Sequence, residues 1–128
     1  MSEIPDGLHY TVEHEWIRIE EDGIITLGIT DHAQDALTDI VYVELPDIGE
    51  SFAANAEFSV VESVKSASPI FIPFSGTVVA VNEKLDDAPE LVNESPYGEG
   101  WITKFSADDE LDIDELLDSK QYSALIRG

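Results

Sequence analysis

Apolar residues recur at strand spacing through most of the chain and at helical spacing near its end. Residues 1–9 read as an irregular arm, broken by Pro5 and Gly7. Residues 10–19, with Trp16, Ile17 and Ile19, predict a strand, and 24–29 predict its return. Between them Glu20-Glu21-Asp22-Gly23 is a hairpin signal, because Asp-Gly accepts positive φ. Thr30 or Asp31 caps a short helix. Gln34 stands in capping-box position to Asp31, and Ala33, Ala36 and Leu37 form an apolar face. Residues 40–45 alternate Ile40, Tyr42 and Glu44 against Val41, Val43 and Leu45, the mark of a half-buried strand ended by Pro46. Asp47-Ile48-Gly49-Glu50 then turns the chain, and residues 52–58 form a weaker strand with Ala53-Ala54-Asn55-Ala56 at its centre.

Two apolar runs follow, 58–64 and 70–74, with Lys65 between them among small residues, and together they predict a tight hairpin with one amine at its tip. Pro69 and Pro73 frame the second run and predict a sheet edge or a bend. Gly76 opens a strand at 77–81, residues 82–96 read as loop, and Pro96 to Gly100 turns into a strand at 101–105. From Asp108 the spacing becomes helical. Leu111, Leu116 and Leu117 form one patch, and Ser119 can cap a last helix carrying Tyr122, Leu125 and Ile126. The expectation is one mainly β domain over residues 1–128, with short helices and a helical tail.

Composition narrows what such a domain does. At 128 residues and 43% hydrophobic, the chain can bury a core. It has no apolar run near the roughly 20 residues of a membrane span. The acidic N-terminus lacks a signal-peptide core, so a cytoplasmic location is expected, and the chain is expected to be a monomer. There is no Cys, which excludes disulfides, thiol catalysis and thiolate zinc sites. A net charge of −22 argues against nucleic acid and anionic membranes as partners. Either a high-salt cytoplasm, where screening removes self-repulsion, or plain acidity accounts for that charge.

Among chemical candidates Lys65 comes first, as the only Lys or Arg between Arg18 and Lys84. A tip lysine is ordinarily a solubilising charge. In so acidic a field it is a poor nucleophile, which favours an acceptor of covalent modification over a catalyst. His9, His14 and His32 have no paired spacing for a metal. Asp108, Glu110, Asp112 and Asp114 alternate like a calcium loop, but Ile113 stands where glycine is required, so a solvated helix start is the better reading. No Ser/His/Asp constellation and no glycine-rich phosphate loop is present.

Several segments, in order, are similar to one family. They are His14-Glu15-Trp16, Gly28-Ile29-Thr30-Asp31-His32-Ala33-Gln34, Val43-Glu44-Leu45-Pro46, Val61-Glu62-Ser63-Val64-Lys65, Ser75-Gly76-Thr77-Val78, Leu91-Val92-Asn93 and Pro96-Tyr97-Gly98-Glu99-Gly100-Trp101. The chain resembles the H proteins of the glycine cleavage system from about Leu8 to Ile126. The resemblance implies a barrel-sandwich hybrid fold and lipoate joined as an amide to Lys65. Glu62 and Val64 fall beside the attachment site and are expected to be read by the lipoate-attaching enzyme. The implied partners are a pyridoxal-phosphate glycine decarboxylase (P protein), a tetrahydrofolate-dependent aminomethyltransferase (T protein) and a flavin dihydrolipoyl dehydrogenase (L protein). The chain would be a carrier and not an enzyme, since the chemistry lives on the cofactor. Glu15 holds the place of an acid that faces the cationic aminomethyl group, and His14 and Glu13 accompany it in the expected arm pocket.

Two positions depart from the family. Pro69 follows Ser68 where an Asp is common, and Glu13 is the candidate to replace that carboxylate. Thr38 stands where Gly is usual. Biotin carriers flank their lysine with Met, whereas Val64 and Ser66 flank Lys65. Lipoyl domains of 2-oxoacid dehydrogenases usually place Asp before the lysine. The alternatives left open are an H-like lipoyl donor or relay without glycine cleavage, and an unmodified interaction domain.

Overall fold

The computed structural model describes residues 3–108 and 113–127. Strands dominate it: β1 (His9–Tyr10), β2 (Glu15–Ile19), β3 (Ile24–Ile29), β4 (Ile40–Glu44), β5 (Ser51–Phe52), β6 (Glu57–Ser63), β7 (Ala67–Phe71), β8 (Gly76–Val81) and β9 (Thr103–Ala107). Helices are short: α1 (Asp31–Leu37), α2 (Lys84–Asp87), α3 (Leu91–Glu94) and α4 (Ser119–Arg127). Among the described residues the strands form two sheets, one in the order β1-β2-β3-β9-β8-β5 and one in the order β4-β6-β7. The arrangement is sandwich-like, and neither sheet closes into a barrel.

The expected strand over 10–19 is two strands. His14 has φ +70, and the chain reverses between Tyr10 and Glu15 so that His9 pairs with Ile17 and Tyr10 with Trp16. Asp22 and Gly23 both take positive φ in the β2–β3 connection, as an Asp-Gly turn requires. In α1 the cap is Thr30, whose hydroxyl accepts from Ala33 N–H at 3.2 Å, while Gln34 bonds the Asp31 side chain rather than the backbone. Ala33 and Leu37 pack on the core, but Ala36 is exposed.

Alternation in β4 is broken by a bulge between Ile40 and Tyr42, so Val41 and Tyr42 are both exposed while Ile40 and Val43 are buried. Residues 52–58 are no continuous strand. β5 pairs with β8, Asn55 turns at φ +70, and β6 begins at Glu57. The segment read as loop at 82–96 contains α2 and α3, and the strand expected at 101–105 runs from Thr103 to Ala107. β7 is an edge strand, which places Pro69 where a missing N–H breaks no sheet interior. The cap of α4 is Asp118 and not Ser119. Asp118 Oδ1 accepts from Gln121 N–H at 2.8 Å, and Gln121 Oε1 accepts from Asp118 N–H at 2.9 Å. Leu111, Glu110 and Asp112 lie outside the described residues.

The main core fills the space between the sheets with Ile17, Leu27, Val43, Val61, Ile72 and Phe105. Phe52, Phe58 and Phe74 meet the Phe105 ring edge-on. A second cluster of Leu8, Tyr10, Trp16 and Tyr122 seats α4 and the N-terminal arm. It requires Gly28, because a Cβ there would stand 2.6 Å from the Trp16 indole. The Trp16 Nε1–H donates to Pro96 O at 2.9 Å, so the indole is buried without an orphan donor.

Hairpin tip and acid-lined cavity

β6 and β7 pair from Glu57↔Phe71 to Glu62↔Ala67, which leaves Val64, Lys65 and Ser66 to make the turn. Ser63 builds it. Its hydroxyl oxygen accepts from Lys65 N–H and Ser66 N–H, each at 3.1 Å, and its N–H donates to Ser66 O at 2.8 Å. A short hydroxyl that satisfies two turn amides explains why Ser stands here. The tip also leans on the end of α1. Val64 N–H donates to Asp39 O at 3.1 Å, and Lys65 Nζ reaches Ala36 O at 3.4 Å. Val64 is 65% exposed and Lys65 is exposed beside it. Glu62 is half-buried, across from Tyr42 on one side and Ala67 on the other.

The other expected residues sit at the far end of β7. A cavity of about 330 Å³ is lined by Glu13, Glu15, Tyr10, Asn55, Phe71 and Leu116, among others. Glu15 is only 2% exposed. Strand parity accounts for this, since Glu15 shares the inward face of β2 with Ile17. Its Oε2 accepts from Phe71 N–H at 2.8 Å and its Oε1 accepts from Thr11 Oγ1–H at 2.9 Å. Burial raises its pKa to about 7, with the nearby Glu13 adding to the rise and the two hydrogen bonds opposing it. Near neutral pH, Glu15 therefore exchanges its proton while facing a cavity.

His14 does not line that cavity. Its positive φ turns it to the other side, where Nδ1 lies 2.8 Å from Tyr122 Oη and its ring lies 4.9 Å from His32. Burial, then the neighbouring His32, hold its pKa below the ordinary histidine value. Tyr122 Oη also meets Thr30 Oγ1 at 2.7 Å. The structure thus brings Glu13 and Glu15 together and sets Glu62, Val64 and Lys65 at the opposite end of one strand. Thr11, Phe71 and Tyr122 were not anticipated. Thr11 precedes Glu15 by four positions, a separation that means nothing in an unbroken strand and becomes a contact only in the turn. Among the described residues no cluster of three or more His, Cys, Asp or Glu is placed for a metal, and no helix is long and apolar enough to cross a membrane.

The arrangement can accept an acyl group on Lys65. The amine is exposed, the small residues Ser66, Ala67 and Ser68 follow it, and its contact with Ala36 O lies at the long end of hydrogen bonding. The cavity offers apolar walls at Phe71, Pro73, Leu116 and Leu117 beside two carboxyl groups. An exposed amine thus stands at the hairpin tip, and a partly apolar, acid-lined recess lies at the base of the same hairpin.

Residues 8–128 match the family described as glycine cleavage H-protein. A glycine cleavage system H protein of Psychrobacter cryohalolentis is 55% identical over 122 residues, covering 95% of this chain and 97% of that one. One from Shewanella baltica is 55% identical over 126 residues, covering 98% of each. The crystal structure of a glycine cleavage system H protein from Mycobacterium marinum superposes with a TM-score of 0.89 at 36% identity, covering 98% of this chain and 100% of that one. The chain belongs to the glycine cleavage H-protein family.

Proposed function

We propose that the protein carries lipoate as an amide on Lys65 and ferries the aminomethyl group derived from glycine. It would receive that group at a pyridoxal-phosphate decarboxylase and yield it at a tetrahydrofolate-dependent aminomethyltransferase. A dihydrolipoyl dehydrogenase would restore the oxidised cofactor. Bound lipoate would supply the sulfur chemistry, and this chain supplies the anchor, the shelter and the recognition surface. Lys65 is the anchor. Glu62 and Val64, at the tip, are the features a lipoate-attaching enzyme reads. Tethering makes three separate encounters into visits by one arm at high local concentration.

The observation that carries the reading is a single strand with a function at each end. Two residues before β7 stands the exposed Lys65, and at its last residue the Phe71 amide holds the buried Glu15 carboxylate. A protonated amine drawn into the cavity favours ionised Glu15, and the low-dielectric wall strengthens that attraction. Glu13 lines the same cavity and supplies the second carboxylate, in place of the one that Pro69 removes. His14 acts from behind, anchoring the turn to Tyr122.

A lipoyl relay without glycine cleavage would need the tip but not the buried acid, so the Glu15 cavity favours the carrier of an amine. Intact mass spectrometry of protein from its native host tests the anchor. The expected result is a lipoyl adduct that Lys65→Arg abolishes, and an unmodified native protein overturns the proposal. Glycine–bicarbonate exchange with a partner decarboxylase then separates the two roles. A lipoylated protein inert in exchange is a relay.

A further inference from the structure

Thr11 has no role in the reading above, yet it meets the 11–15 turn at five points. Its N–H donates to Glu15 O at 3.0 Å, and its carbonyl accepts from His14 N–H at 3.1 Å. Its hydroxyl oxygen accepts from Glu13 N–H at 3.3 Å and from Glu15 N–H at 3.2 Å. The hydroxyl itself donates to Glu15 Oε1 at 2.9 Å. A hydroxyl has two lone pairs and one proton. Here both lone pairs face backbone N–H groups, so the proton has one destination, the Glu15 carboxylate. The second carboxylate oxygen is held independently by Phe71 N–H at 2.8 Å. The carboxyl is therefore gripped from two elements, the turn and β7, with one bond to each oxygen.

We infer that Thr11 is a positioning residue, its hydroxyl locked by the turn so that it aims the Glu15 carboxyl into the cavity as a ready partner for a cationic group. The inference rests on the cavity being the cargo shelter. Around Glu15 the other ionisable groups on the cavity wall are Glu13 on the same turn, Glu115 on the turn at Ile113–Glu115, and Tyr10 on β1. None of these brings a positive charge, and His14 is turned away toward Tyr122. β7 contributes the Phe71 amide. Among the described residues, then, the Thr11 hydroxyl is one of two donors that hold this carboxylate against its own burial.

The test uses the unmodified full chain, with the Glu15 side-chain carboxyl followed by carbon-13 NMR through pH and assigned with Glu15→Gln. Thr11→Val removes the donor and is expected to raise the Glu15 titration midpoint by about one pH unit. Thr11→Ser keeps the hydroxyl and restores the wild-type midpoint. A valine variant that folds and titrates like wild type overturns the inference, and so does a serine variant that titrates like valine. If the valine variant does not fold, the wild type decides. The Thr11 hydroxyl proton is expected to shift along the Glu15 titration, and a hydroxyl proton indifferent to that titration overturns the inference. Because none of these readings needs a modified lysine, they stand apart from the mass test of the anchor. Retention of cargo by the loaded chain separates the two further. A midpoint moved by Thr11→Val with retention unchanged leaves the clamp standing and removes the shelter reading beneath it.

Discussion

The two ends of β7 are built on opposite terms. At the tip the side chains of Val64, Lys65 and Ser66 are exposed, and the turn is held by the Ser63 hydroxyl and by backbone bonds to Ser66 and Asp39. At the 11–15 turn Val12 and Glu13 are exposed, but the functional groups are held: a buried carboxyl with both oxygens bonded, a histidine bonded to Tyr122, and a backbone at positive φ. An attachment point must be reached by other enzymes, so rigidity and burial there would obstruct modification. A shelter must discriminate an amine from water, which requires fixed donors and a low dielectric. One strand joins the two, with Lys65 two residues before its start and the Glu15 contact at its last residue.

The largest effect that could break this contrast is at the tip. Lys65→Arg is expected to abolish modification completely while leaving folding stability within about 0.5 kcal/mol, as for an ordinary surface change. Modification at a second lysine, seen by intact mass and peptide mapping, would remove the tip from its place in the account.

The buried end should answer with stability and pH instead. Glu15 has a folded pKa raised to about 7, well above its value in an unfolded chain. Between those values the folded state holds the extra proton, so the contribution of Glu15 to stability falls as pH rises through the window. The loss is on the order of 3 kcal/mol between pH 4.5 and 7. Glu15→Gln should flatten that part of the profile, whatever constant offset its lost hydrogen bond adds. Urea unfolding of both proteins across this range checks it. Parallel profiles would mean that the carboxyl is less buried than the structure shows.

Next in size is Tyr122→Phe. The hydroxyl it removes is shared by His14 Nδ1 and Thr30 Oγ1, both on the buried side. A loss of about 1–2 kcal/mol is expected in thermal or urea unfolding, with Lys65 modified as before. Impaired modification would show that the two regions are coupled more tightly than one strand implies.

The smallest predicted change is a gain. Thr38 sits at φ +66, ψ −143 between α1 and β4, in a region that side chains disfavour. Thr38→Gly should stabilise the protein by about 1 kcal/mol, relief of strain exceeding the entropic cost of glycine. A loss of stability would mean that the Thr38 side chain contributes packing that outweighs the strain.

Legibility in the sequence follows the same divide. The hairpin, its lone lysine and its proline-bearing edge strand are local patterns, and they were readable as such. A role for Lys65 was not, because an exposed lysine at a turn is ordinarily a charge in water. The role proposed for it rests on the family segments around it. At the other end, His14-Glu15-Trp16 drew attention to Glu15, but the turn that buries it beside a cavity has no local pattern in the sequence. Residues 10–19 look like one strand because Trp16, Ile17 and Ile19 recur there, yet only Trp16 and Ile17 are buried and Ile19 is 46% exposed. Positive φ at His14 has no signature of composition. The Asp22-Gly23 turn did have one and was found. The bulge in β4 and the cap at Asp118 instead of Ser119 are likewise set by tertiary fit, where neighbouring residues of similar propensity compete.

The central claim is that the cavity at the base of the hairpin receives what the tip carries. The Glu15 titration midpoint, read by carbon-13 NMR in the unmodified chain and again in the chain loaded with the aminomethyl group on Lys65, tests it directly. A cation beside the carboxyl favours its ionised form, so the midpoint should fall by about one pH unit or more on loading. A midpoint unchanged by loading would show that the cargo does not meet Glu15.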